Sequence, residues 1–310
     1  MSSGHLSHDA LFYDTAEDFA AALVPFLSEG LARDHACVVA STPANTALLR
    51  HALGADADGV VFLNRDEWYR RPETTVAGWR RLLDSALADG RPQVRIVGEV
   101  QFGDPGRHPT WTRYEAALNA LFVGTPAWIV CPYDQRGLPS EVLADARRTH
   151  PHVWTPRRNR STHYLTPDEL LATTRDAMPA VQGPPQLILD VTGDGAGLRH
   201  QLRETAARAG WSSTPRIDEL LIAVSEVATV AARHGHRPGT LRVWAHPASV
   251  VCEIVSTAGA PTDALLAYRP PPASPGQHGQ DLWIAHNFTD ALTIDTSGDT
   301  TRVRLAITAR

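Results

Sequence analysis

The chain has 310 residues, 43% hydrophobic and 20% charged, with a formal net charge of −5, an ordinary globular balance and long enough for two domains. That charge removes the electrostatic reason to expect nucleic acid as a direct partner. No apolar run approaches a membrane span, and the N-terminus lacks a charged-then-apolar leader, so no membrane contact and a cytoplasmic location are expected.

None of the 29 basic side chains is lysine, which excludes P-loop and Schiff-base chemistry in their standard forms. Cys37, Cys131 and Cys252 are odd in number and far apart, which does not suggest a disulfide framework.

In chain order, His8 to Tyr13 reads as a short apolar strand and Glu17 to Leu31 as an amphipathic helix. Ala36 to Ala40 (ACVVA) is a buried-type strand, and Ser41-Thr42-Pro43 caps a helix from Ala44 to Leu53. Strands at Val60 to Leu63, Val94 to Glu99 and Ala127 to Cys131 then alternate with helices at Thr74 to Ala88, Thr112 to Phe122 and Ser140 to Thr149. This alternation predicts a mainly parallel sheet with helices on both faces.

Several phrases in this half are distinctive: HDALFYDTAEDFAAALVPFLSEGL from His8, Gly98-Glu99, RYEAALN from Arg113, CPYD from Cys131 and ARRTHP from Ala146. They resemble the MEDS domain, a sensory domain first named from methanogen and methylotroph regulators. The resemblance implies a sensory role and a distant relative of RecA-type folds without a P-loop.

Open parallel sheets bind ligands beyond the carboxyl ends of their strands. Glu99 and Cys131 stand at such ends, and Asp134 follows one. With His8, Glu115 and His150 they are expected to form one sensory pocket, or else a metal site of mixed ligands. No pair has C-x-x-C or H-x-x-x-H spacing, so no metal is expected and a small-molecule pocket is.

Residues 151 to 185 hold Pro151, Pro156, Pro167, Pro179, Pro184 and Pro185 and the basic run RRNR at 157 to 160. A strand at His163 to Leu165 and a helix at Pro167 to Ala177 fall inside it, and the arginine run reads as a solvated face. The division is a sensory domain at 1–165, a proline-rich linker at 166–185 and a second domain at 186–310.

That second domain begins with a strand at Gln186 to Val191 and a helix at Gly197 to Ala209. In Ile217 to His236, Leu220, Leu221, Val224, Val227 and Ala231 recur at three and four, and acids at the start and bases at the end suit the helix dipole. Strands at Thr240 to His246 and Val250 to Ser256, a helix at Leu282 to Phe288, and strands at Ala291 to Asp295 and Thr301 to Thr308 follow. The order predicts helices over an antiparallel-dominated sheet, an α/β sandwich.

Glu226, Ala231 and His234 in the central helix fit the pattern E-L-x-x-N-A-x-x-H. It resembles the anti-sigma-factor serine kinases of the histidine-kinase-type ATPase superfamily, over about 120 residues. The resemblance implies ATP and Mg2+ as ligands, Glu226 as general base or orienter of the reacting hydroxyl, a sigma factor or anti-sigma antagonist as partner, and a possible homodimer.

Position by position, Val230 stands where the family has its magnesium asparagine, and its side chain has no lone pair for a hard cation. Ser256 falls on the adenine-binding aspartate, with Ala258 and Gly259 after it. Asp281 replaces the second glycine of G-x-G-L-W in Gly279-Gln280-Asp281-Leu282-Trp283, putting a carboxylate and a Cβ towards the phosphates. A degenerate nucleotide site is therefore expected, in a regulator that acts by holding a protein. An active serine/threonine kinase is the alternative. A sensor histidine kinase has no phosphoacceptor hairpin to support it, and a hydrolase has no G-x-S-x-G.

Overall fold

The structure is a computed structural model, and it describes residues 5–155, 157–191, 195–208, 216–234, 239–246, 248–257, 265, 268–269 and 280–308. It divides into two compact units, Met1–Thr174 and Arg175–Arg310. No helix among the described residues is long and apolar enough to cross a membrane.

The first unit carries β1 (Ser7–Tyr13), α1 (Ala16–Ala32), β2 (Ala36–Ser41), α2 (Pro43–Leu53), β3 (Val60–Asn64), α3 (Arg65–Trp68), α4 (Pro72–Ala88), β4 (Val94–Gly98), α5 (His108–Leu121), β5 (Ala127–Asp134), α6 (Ser140–Thr149), β6 (His152–Trp154), β7 (Arg158–Arg160) and α7 (Pro167–Thr173). Its sheet runs β3-β2-β4-β5-β1-β6-β7. All pairs are parallel except the closing β6–β7 hairpin.

Local chemistry sets the helix starts. Thr15 and Asp18 form a reciprocal capping box at α1, and Thr42 accepts from the Asn45 amide with Pro43 at the first turn of α2. The continuous apolar run of β2 belongs to a strand covered on both faces. Leu11 and Tyr13 of β1 join Phe19, Leu23, Leu49 and Leu53 in the core under α1 and α2. Alternate β1 residues turn to the other face, where Phe12 stacks on Tyr133 and the Trp79 indole donates to the Tyr114 hydroxyl at 2.9 Å.

The proline-rich stretch contains more order than its composition suggests. No strand forms at His163 to Leu165; β6 and β7 form instead, between Pro151 and Ser161. The arginine run supplies β7, and Arg158 reaches Asp9, whose carboxylate is fully buried in β1. Asp9 accepts from Arg158 Nε at 2.6 Å, Trp128 Nε1 at 2.9 Å and Trp154 Nε1 at 3.0 Å, tying four neighbouring strands together. The helix expected from Pro167 ends at Thr173, where Arg113 of α5 donates to the Thr174 carbonyl at 2.6 Å.

The second unit carries β8 (Leu187–Val191), α8 (Gly195–Arg208), α9 (Ile217–His234), β9 (Gly239–His246), β10 (Ser249–Thr257), α10 (Gln280–Asn287), β11 (Ala291–Ser297) and β12 (Thr300–Thr308). Its sheet is antiparallel throughout, in the order β11-β12-β10-β9-β8. Leu198, Leu220, Val224, Val227 and Leu282 from the helices pack on Leu241, Cys252 and Leu305 from one face of the sheet. The other face, with Trp244, Val251, Ala291 and Ala306, is covered by Met178 and Val181. The Trp244 indole donates to the Gly183 carbonyl at 3.1 Å, so part of the expected linker serves as a lid on this sheet.

Asp9→Ala would leave two indole N–H groups and a guanidinium without their acceptor. It is expected to lower the unfolding free energy of the first unit by about 2–4 kcal/mol. The check is the urea midpoint of the full chain followed by tryptophan emission; an unmoved midpoint would contradict the anchoring role.

Candidate functional site

Because β1, β2, β4 and β5 are parallel, their carboxyl ends share one edge, and a cleft of about 430 Å³ opens there. Tyr13, Thr42, Asn45, Arg65, Glu99 and Asp134 are among its lining residues. Glu99 is its centre. One carboxylate oxygen accepts from the Thr42 amide at 3.0 Å and from Asn45 Nδ2 at 3.1 Å, and the other from Arg65 Nη1 at 3.3 Å. Burial, then the charge of Glu99, pushes the Tyr13 phenol up to about 12, so it is a neutral hydroxyl at physiological pH. A Cβ on Gly98 would come within 2.5 Å of the Tyr69 hydroxyl, so a larger residue before Glu99 would have to displace the buried Tyr69 ring. Hydroxyl, amide, guanidinium and carboxylate groups around an open cleft suit recognition of a small polar molecule.

A second cluster lies inside the same unit, under the face of the sheet opposite α1 and α2. His8 of β1, Glu115 of α5, Cys131 of β5 and His150, the residue after α6, are each at most 2% exposed. One donor atom from each lies within 4.8 Å of all the others. His8 Nε2 stands 3.1 Å from Glu115 Oε2, and His150 Nε2 stands 3.4 Å from the same oxygen. Cys131 Sγ is 3.4 Å from His8 Nε2 and 3.6 Å from Glu115 Oε2. Burial works to raise the Glu115 carboxyl, but the imidazoles of His150 and His8 outweigh it and bring it down to about 2. Burial, then His8, lowers His150, while burial and the Glu115 charge push the Cys131 thiol well up.

The six residues expected to share one pocket thus fall in two places. His8, Glu115, Cys131 and His150 come together; Glu99 and Asp134 line the cleft. Strand geometry is the reason. His8 and Cys131 project from the body of their strands onto one face, whereas Glu99 and Asp134 stand at the strand ends where the backbone opens out. Tyr13, Thr42 and Asn45 were not singled out from the sequence, although the carboxyl-end rule that pointed to Glu99 extends to Tyr13 and Thr42. Nothing in the sequence marked Arg65, which arrives on the short α3.

In the second unit, Glu226 lies half-buried on α9, and Val230, one turn on, is half-buried against the apolar core. Ser256 is buried near the end of β10, Asp281 is half-buried in the first turn of α10, and Leu282 is in the core. His234 ends α9, and its side chain, with Gly259 and Gly279, lies outside the described residues. Burial pushes the Cys252 thiol up to about 12, which makes it a packing group.

The family model for the MEDS domain, the methanogen/methylotroph, DcmR sensory domain, matches residues 7–151. The model for the histidine kinase-like ATPase domain matches residues 193–307. No curated protein matches the chain. Among solved structures, the chain is similar to the RsbU and RsbW domains of Rv1364c from Mycobacterium tuberculosis at 19% identity and a TM-score of 0.29. That likeness covers 46% of this chain and 40% of the other, so it spans less than half of that relative. It is also similar to the flagellar accessory protein FlaH from Methanocaldococcus jannaschii at 9% identity and a TM-score of 0.27, covering 49% of this chain and 70% of that one. The chain joins a sensory domain of the MEDS family to a domain of the histidine kinase-like ATPase family.

Proposed function

We propose that this chain is a cytoplasmic signalling regulator of the anti-sigma-factor type. A small polar molecule would occupy the cleft around Glu99, and the kinase-like domain would hold a sigma factor or an anti-sigma antagonist without transferring phosphate. The observation that carries the reading is Val230. It sits one turn from Glu226, where the anti-sigma kinases have their magnesium asparagine, and it packs against the core of the domain. An aliphatic side chain offers no electron pair to Mg2+, and phosphoryl transfer needs the metal beside the base. Asp281 adds a carboxylate where the family presents glycine to the phosphates. Binding a protein on the helical face requires neither group.

Isothermal titration calorimetry of the full chain with Mg·ATP is expected to give no binding at physiological concentrations. Micromolar binding would overturn the reading and favour the second one, an active serine/threonine kinase, for which the retained Glu226 and the His234 position speak.

Val230→Asn with Asp281→Gly is expected to raise ATP affinity tenfold or more, about 1.4 kcal/mol. A double variant with no gain would count against the placement of these residues at the nucleotide. Immobilised full chain is further expected to retain a sigma factor or an antagonist domain from its host; retention of neither would remove the partner half of the proposal.

A further inference from the structure

We propose that His8, Glu115, Cys131 and His150 bind one divalent transition metal ion in the first unit, and that the ion is zinc. The site is distinct from the cleft at Glu99 and does not depend on what that cleft binds.

Distances come first. A tetrahedral zinc site with bonds of about 2.0–2.3 Å has ligand-to-ligand separations of roughly 3.3–3.8 Å. Four separations within the quartet are 3.1, 3.4, 3.4 and 3.6 Å, and none between the chosen donor atoms exceeds 4.8 Å. The donors are close to where a tetrahedral ion would require them.

Proton positions, assigned from the hydrogen-bond partners, point the same way. Asn119 Nδ2 donates to the Thr149 carbonyl at 2.8 Å, so Asn119 Oδ1 is left as an acceptor and His8 Nδ1–H donates to it at 3.1 Å. His150 Nδ1 lies 2.9 Å from the Ala146 carbonyl, which can only accept, so that nitrogen also carries its proton. Both rings thereby turn their Nε2 atoms towards Glu115, where each would offer a lone pair to an ion once free of a proton. This is the outer-shell arrangement that holds metal-binding histidines in one tautomer.

Two ring nitrogens and a carboxylate oxygen thus converge on one point among residues that are at most 2% exposed. The Cys131 proton can satisfy one of these acceptors. His150 Nε2 makes no hydrogen bond, and Glu115 Oε1 makes none either. A buried carboxylate with such neighbours calls for a positive charge beside it, and a bound cation supplies one.

The donor set selects the ion. Imidazole and thiolate are poor ligands for Mg2+ or Ca2+ and good ones for zinc. A dication with one carboxylate, one thiolate and two neutral imidazoles is also electrically neutral, which suits full burial. Binding breaks the Cys131 S–H bond, forms the metal–sulfur bond and releases one proton to solvent. Four protein ligands leave no open position, so the ion would pin β1 and β5 to α5 and to the end of α6 without serving as a Lewis acid.

The experiment uses the full chain stripped of metal with a chelator and titrated with Co(II) alone. One equivalent is expected to bind, with a thiolate-to-cobalt charge-transfer band and tetrahedral visible bands, and equimolar Zn(II) should erase both. Untreated protein should carry about one zinc per chain by elemental analysis. Cys131→Ser should lose the charge-transfer band, and His150→Ala should weaken Co(II) binding more than tenfold. A wild-type chain that is folded by circular dichroism yet carries no metal and binds no Co(II) would overturn the proposal, leaving a proton-held histidine–glutamate pair. Co(II) binding without the charge-transfer band would overturn it as well, by placing the ion at surface histidines.

Discussion

In the pairing of β1 with β5, Ala10 lies opposite Cys131, His8 opposite Ile129 and Asp9 opposite Val130, and most of the first unit follows from that register. It sends His8 and Cys131 to one face and Asp9 with Trp128 to the other. A slip of one residue would exchange the faces, burying Asp9 among Trp79, Trp111 and Tyr114 and putting His8 against α1. The register is held from both sides: Asp9 binds side chains from β5, β6 and β7, and His8 binds Asn119 of α5. One strand therefore carries both the polar anchor of the sheet edge and a member of the buried quartet.

The second unit uses charge differently. Glu253, almost fully buried on β10, accepts from Arg242 on β9 at 3.0 Å and from Arg304 on β12 at 2.7 Å. A single carboxylate thus spans three adjacent strands, with the arginine stems partly in solvent. On the opposite face of the sheet, α9 places apolar residues at three- and four-residue spacing into the core, and Val230 continues that stripe. Read as packing alone, half-buried Val230 extends the apolar face of α9; under the proposed function, the same residue stands in place of a metal ligand.

Much of this was legible in the chain itself. ACVVA reads as a strand of the buried type, and the spacing of Leu220, Leu221, Val224 and Val227 suits a helix on a core. The β6–β7 hairpin was hidden because the sequence around it is rich in proline, and because its partner, Asp9, lies some 150 residues away in sequence. The quartet was half visible. His8, Glu115, Cys131 and His150 had been picked out, but no local spacing ties a strand residue to a helix residue more than a hundred positions on. Only the fold separates them from Glu99 and Asp134. In the second unit the sequence reaches further than the described structure, since Gly259 and Gly279 fall outside it.

The aromatic wall behind the quartet has an optical consequence. Trp79 donates to Tyr114, and Trp111 and Tyr69 stand edge-on to that same ring. Tyr114 adjoins Glu115 in the chain, so a change in charge at the quartet occurs beside fully buried indoles. Buried indole emission responds to nearby charge, and these rings lie far in sequence from Trp244, which belongs to a core of the second unit. The first unit carries its own fluorescent gauge, one that needs no label.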